Sequence, residues 1–266
     1  MSEFSVPVEI SKKAIDDFVA GTVVDDPGLT LAKIAAAFLP CVSKMEESVA
    51  KLAIDAPLFA MLPQQLFADD HVAGKVGSVD DDASGRLLRQ TLQWLQFHLP
   101  WLRACVYAAT EKHDLTPNAF VAWANRQGLF DAGKVPLLTA GFQAWFDKDN
   151  VKALHILIPQ IEAALRNMVD RVGKPVTKAA GTVPGVSVAI NMSDILFNSA
   201  TIAALGPMGS NLALYMKAIY ADPRGMNIRN QFAHGLLDAD EIHEGIVLWI
   251  VHTLLVVGTW QKLDPP

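Results

Sequence analysis

The sequence predicts an all-α protein, and three observations carry that expectation. Apolar residues recur at helical spacing along nearly the whole chain. No stretch keeps the alternation of a half-buried strand, residues 181–190 being the only segment able to extend. Prolines and glycines fall where these periodic segments break, as helix punctuation. With 51% apolar and 19% charged residues in a chain of 266, a substantial core is available to one large or two small domains.

In chain order, residues 10–66 read as short helices. Ile10, Ala14, Ile15 and Phe18 share one spacing, and Asp25-Asp26-Pro27-Gly28 is a turn. Residues 29–39 form an Ala-rich helix stopped by Pro40. Residues 41–54 continue with Met45, Val49, Leu52 and Ala53 on the apolar side, and Pro57 opens a short helix to Leu66. The polar stretch 68–85 reads as a linker or the first turn of the next helix. Its Asp80-Asp81-Asp82 run has no spacing for a metal site.

Residues 86–98 read as a helix with Leu88, Leu92 and Leu95 on a stripe that continues to Leu99; Pro100 is expected to break that helix, which resumes over 101–112. Thr116-Pro117 is an N-cap followed by proline at the first helical position, starting a helix over 118–126. Val135-Pro136 starts the next. A long helix over 151–172, kinked near Pro159, places Glu162 and Arg166 as an i, i+4 pair. Beyond a Gly-, Pro- and Thr-rich loop over 173–191, Ser193-Asp194 caps a helix ending near Gly206-Pro207. Another helix runs to Asp222-Pro223. Asp238 and Glu241 read as a capping box for a last helix ending near Trp260.

Composition excludes several classes. The formal charge is −6, with 13 Lys and Arg against 19 Asp and Glu in residues 1–150 and nine of each in 151–266. That is no broad basic footprint for long nucleic acid, although a small local site remains compatible. Cys41 and Cys105 form no disulfide framework or metal-ligand spacing, and the N-terminus lacks the basic-then-apolar pattern of a signal peptide; a cytoplasmic protein is expected. The most membrane-like run, 246–257, is 12 residues, short of the roughly 20 needed to span, so no membrane association is expected. His243 and His252 lie nine residues apart, about 180° round a helix, and cannot share a metal. No P-loop, GxSxG, HExxH or GxGxxG is present, and no metal or cofactor is expected.

One polar constellation stands out: Asn227-Ile228-Arg229-Asn230-Gln231-Phe232-Ala233-His234-Gly235. On a helix Asn230 and His234 are an i, i+4 pair about 40° apart. Arg229 stands about 140° from His234. Ile228, Phe232, Leu236 and Leu237 make an apolar stripe that would press the segment into a core. A cation, an amide and an imidazole at a core edge can bind an anion and move a proton. A cap and salt-bridge cluster is the plain structural alternative.

The string RNQFAHG resembles the RNxxxHG signature of a family of domains of unknown function within the HEPN class (higher eukaryotes and prokaryotes nucleotide-binding), marked by Arg, four to six residues, then His. The turn 222–227 resembles the one that precedes the family's motif, and residues 155–166 resemble its earlier helix with a Glu-x3-Arg pair. The resemblance covers roughly the last 110 to 120 residues. It implies an N-terminal helical domain over 1–149, a sensor or partner-binding unit, followed by a HEPN-like helical bundle over 150–266.

It also implies a metal-independent endoribonuclease of the toxin or anti-phage defence type, acting on tRNA or mRNA. Arg229, Asn230 and His234 would be catalytic, with Glu162, Arg166, Asn227 and Gly235 supporting or binding substrate. His234 would take the ribose 2′-OH proton or protonate the leaving 5′-oxygen, and Arg229 would stabilise the phosphate. The products would be a 2′,3′-cyclic phosphate and a 5′-hydroxyl. In this class two protomers meet at these helices, which implies a homodimer whose composite cleft resolves the 140° between Arg229 and His234. The apolar last helix is the expected contributor to that interface. A regulatory antitoxin is a further expected partner. The alternative, from a different class, is a non-catalytic helical scaffold whose pocket binds a nucleotide or a partner protein.

Overall fold

The computed structural model describes residues 11–67, 72–181 and 183–262. The chain is all-α, about 65% helical, with two short two-stranded antiparallel sheets. The N-terminal segment read for a signal sequence lies outside the described residues.

Helix α1 spans Lys12–Thr22, and α2 spans Pro27–Ala37 with the Asp26 carboxylate accepting the Leu29 N–H and Pro27 in the first turn. Helices α3, Val42–Asp55, and α4, Pro57–Met61, follow. A helix was expected to continue to Leu66, but the chain turns at Pro63 into β1, Gln64–Phe67, paired with β2, Val72–Val76. Arg86 explains part of this. It is buried, and its Nε donates to the Gly77 carbonyl at 2.8 Å while Nη2 reaches the carbonyls of Ala60 and Leu62, tying the chain on both sides of the hairpin to the next helix. The expected linker over 68–85 therefore contains a strand; its residues 68–71 lie outside the described set.

That next helix, α5, runs unbroken over Ala83–Lys112, through Pro100. The expected break does not occur. Leu88, Leu92 and Leu95 before the proline and Leu102, Cys105, Val106 and Ala109 after it lie on one buried stripe. Burial of that stripe outweighs the roughly 3 kcal/mol of an interior proline. Helices α6, Pro117–Ala124, and α7, Val135–Phe146, lead to α8, Asn150–Arg171, whose N-terminus is capped by Asp149. The α8 helix also runs continuously past its proline, Pro159. Close approach of α7 to α8 depends on Gly141, where a Cβ would stand 2.4 Å from a Leu157 methyl.

A hairpin of β3, Thr177–Ala179, and β4, Ser187–Ala189, occupies the loop after α8; β4 lies within the stretch 181–190 read as able to extend, and β3 lies before it. The one helix expected to end near Gly206 is two: α9, Met192–Leu196, and α10, Ser199–Ala204. The capping box uses Asn191 with Asp194, so the N-cap lies two residues earlier than a cap at Ser193 implies. Helix α11, Gly209–Met216, passes into a π-helical turn over Lys217–Ala221. The short α12, Ile228–Ala233, carries the motif, and α13, Glu244–Thr259, closes the fold. Glu241 does accept the Asp238 N–H at 2.8 Å, but this closes a turn and not a helix. The α13 cap is His243, whose Nδ1 accepts the Gly245 N–H at 3.1 Å.

Helix α13 is the central strut. It packs on α2, α5, α6 and α8, and most of the buried apolar residues form one cluster from Val23 to Trp260. The boundary drawn at 149/150 falls between α7 and α8, which pack extensively on each other. Trp249 and Val256 are each 1% exposed, so the apolar run of α13 is consumed inside the chain. That burial removes Trp249 and Val256 from the interface role expected of the helix. Residues 27–55 together reach the length and mean hydropathy of a membrane span. They are two helices of 11 and 14 residues, each short of the roughly 20 required, and α2 buries Leu31 and Ile34.

A polar network sits inside this core. The Tyr215 hydroxyl lies 2.7 Å from His252 Nδ1, and the Tyr220 hydroxyl lies 2.7 Å from Thr253 Oγ1. Burial pushes the His252 imidazole down to about 4 and raises both tyrosines. His252 is therefore a neutral core residue.

Candidate phosphate-binding site between the motif helix and α8

The two segments singled out in the sequence meet in space. Glu162, on the middle of α8, directs one carboxylate oxygen to each of two arginines. Its Oε1 accepts from Arg166 Nη1 at 2.9 Å, and its Oε2 accepts from Arg229 Nε at 2.9 Å. The Glu162 side chain is 15% exposed, so this bridge lies where water screens it only partly. The i, i+4 pair read on α8 thus exists, and the same carboxylate orients the motif arginine.

Asn230 is held from its other side. Its Nδ2 donates to Asn227 Oδ1 at 2.7 Å, and its Oδ1 accepts from Arg229 Nη1 at 3.3 Å. Asn227 has φ 52°, a left-handed conformation that asparagine tolerates better than most residues. It therefore reverses the chain out of the 222–226 turn into α12. Gly235, at φ +65°, ends the segment as a left-handed glycine beyond the helix.

His234 stands apart. Helix α12 is six residues long, and His234 is its C-cap at φ −102°, ψ 3°. The His234 N–H still donates to the Asn230 carbonyl at 3.1 Å, so the i, i+4 spacing to Asn230 survives in the backbone. The imidazole is exposed and makes no hydrogen bond with any described residue. Of the expected stripe, Ile228 is buried and Phe232 and Leu237 are partly buried, whereas Leu236 is 69% exposed. A helix this short cannot carry an apolar stripe past its own end.

An open pocket of about 230 Å³ lies against the arginines, lined by Ile158, Pro159, Glu162, Arg166, Arg229, Phe232 and Ala233. Two guanidiniums held by one carboxylate leave a net positive group at its wall, the arrangement that takes a phosphate or carboxylate. Asp194 moderates it from outside. Burial raises the Asp194 carboxyl, but hydrogen bonds from Lys178 and the Asn191 N–H, with the charges of Lys178 and Arg229, bring it below its ordinary value. Among the described residues no group of three or more His, Cys, Asp or Glu side chains is placed to hold a metal ion.

Sequence reasoning missed His155 as a site neighbour. Its ring meets Phe232 edge-on at 5.0 Å between centroids, which brings a second imidazole to the motif helix. The signal was present: His155 precedes Glu162 by seven residues, two turns of helix, and so shares its face. The Lys178–Asp194 contact at 2.6 Å was not legible, because the β3–β4 hairpin that delivers Lys178 carries little strand patterning. No protein-family model, curated protein or solved structure matches the chain significantly.

Proposed function

We propose that the chain is a metal-independent endoribonuclease of the HEPN type, cytoplasmic and of the toxin or defence class. The observation that carries the reading is the Glu162 bridge, which holds Arg166 and Arg229 together at the wall of an open pocket beside the motif turn. In this reading the scissile phosphate sits against the two guanidiniums. Their charge stabilises the negative charge that grows on the phosphate oxygens during in-line attack by the ribose 2′-OH. Asn230, fixed by Asn227, orients the Arg229 fork. His234, exposed and next in sequence to the pocket-lining Ala233, takes the 2′-OH proton or returns one to the 5′-oxygen in this reading. The exposed position of His234 is consistent with its acting in a cleft closed by a second copy or by the RNA itself.

A second reading has its own support. The imidazole of His234 has no hydrogen-bond partner to orient it, unlike a general base held by a third group. A non-catalytic module that binds a nucleotide phosphate or an acidic partner through the two arginines needs no such orientation.

Incubation with end-labelled oligoribonucleotides separates the two. The nuclease reading predicts fragments ending in a 2′,3′-cyclic phosphate, and no cut where the ribose 5′ to the scissile phosphate is 2′-deoxy. Binding that saturates without any fragment supports the module instead.

A further inference from the structure

A second pocket, remote in chemistry from the arginine site, is enclosed by α5, α10, α11 and the π-helical turn. It has a volume of about 420 Å³, within the range of small-molecule sites, about 300–1,000 Å³. Its walls are largely apolar, with Leu87, Leu88, Ile202 and Leu214 among them, and its polar end holds Lys217, Asp222 and Arg224. The charges at that end are not equivalent. Asp222, 4% exposed, accepts from Arg224 Nε at Oδ1, 3.0 Å, and from Arg224 Nη2 at Oδ2, 2.9 Å. The remaining Arg224 nitrogen donates to Asp82 at 3.1 Å. Asp82 in turn accepts the Gly85 N–H at the start of α5. Both carboxylates and the guanidinium are therefore saturated by one another and by the helix end.

Lys217 is the exception. It opens the π-helical turn, a backbone form frequent at ligand sites. Its Nζ lies 4.8 Å from the centre of the Phe197 ring and forms no hydrogen bond or ion pair with any described residue. Burial lowers its pKa, Asp222 raises it and Arg224 lowers it, with a net decrease. A half-buried ammonium facing an apolar cleft is short of an acceptor.

We propose that this cleft binds a small amphipathic monoanion, a carboxylate with an aliphatic tail. The carboxylate accepts from Lys217 Nζ, and the tail lies along Leu87, Leu88, Ile202 and Leu214. A cationic head is disfavoured, because both neighbouring carboxylates already have their partners. The site is coupled by covalent continuity to the motif. The Met226 N–H donates to the Ala218 carbonyl at 2.8 Å, and a Cβ on Gly225 would stand 2.4 Å from that same oxygen. The turn leading to Asn227 is thus moulded on the π-helical segment that Lys217 begins.

Isothermal titration calorimetry of the full chain with decanoate, and with decyltrimethylammonium as the opposite charge on the same tail, tests the proposal. Wild type should bind decanoate and should bind the cation at least tenfold more weakly. Lys217→Met, which keeps the apolar bulk, should lose decanoate affinity by about ten- to a hundredfold, the loss of one charge-assisted hydrogen bond. Ala203→Trp, from the exposed side of the lining, should block the cleft and abolish decanoate binding. Equal affinity of wild type for the two head groups overturns the proposal without recourse to any variant. Absence of decanoate binding at millimolar concentration, or undiminished binding by a folded Lys217→Met protein, overturns it as well.

Discussion

Glu162 and Arg229 lie 67 residues apart in the chain and meet through a 2.9 Å hydrogen bond, the Arg229 Nε donating to the carboxylate that also holds Arg166. The bridge turns two separate sequence features, an i, i+4 pair on α8 and the motif on α12, into one cationic wall. It holds a long, rotamer-rich side chain in one conformation.

Glu162→Gln keeps the size of the side chain but replaces an acceptor oxygen with a donor NH2. Both guanidiniums then lose a charged anchor. RNA cleavage should fall by about a hundredfold, the order expected for a misplaced catalytic group. Far-ultraviolet circular dichroism should remain that of the wild type. Unchanged cleavage would show that the bridge does not position Arg229 for chemistry.

The buried His252 sets a pH dependence of stability. Its folded-state pKa is depressed to about 4, below the unfolded value of about 6.5. Below the unfolded value the unfolded chain binds a proton that the fold does not, so stability rises with pH across this window. The contribution is complete above about pH 6.5 and is lost as pH falls toward 4, about 3 kcal/mol in all. Urea melts between these limits should show the slope, and His252→Gln should flatten it. A wild-type stability that is constant over the window contradicts a neutral buried imidazole.

Pro100 offers a test of how α5 overrides its own sequence. Pro100→Ala restores an N–H able to donate to the Gln96 carbonyl inside a helix that is already formed. Thermal stability should rise, by up to about 3 kcal/mol. A lower Tm would mean that the helix is shaped around the proline ring.

The all-α class was legible because burial along most helices follows the helical period, as in the stripe from Leu88 to Ala109. The Thr116-Pro117 start was legible because cap chemistry is local. The β1–β2 hairpin was not, since what anchors it is Arg86, a contact made across 24 to 26 residues. The true start of α13 was hidden for a related reason. Asp238 and Glu241 form the local contact of a capping box, yet the helix waits for His243. At the site, hydrogen bonds bring Glu162, Arg166, Arg229, Asn230 and Asn227 together. His234 does not join them, because α12 ends one residue before it. The apolar run of α13 reads in one dimension as core or interface alike; in three it is core, because helices pack on it from several sides.

The central claim is that the arginine pocket and its neighbouring histidine cleave RNA without a metal. The direct measurement is cleavage of tRNA and mRNA fragments by the purified chain in excess EDTA, for wild type, Arg229→Ala and His234→Ala. Wild type should cut, and each variant should lose about 10² to 10⁴ in rate while keeping the wild-type Tm. Intact RNA with wild type, or variants that melt early and cut at the wild-type rate, would make the cluster a structural clasp and contradict the claim.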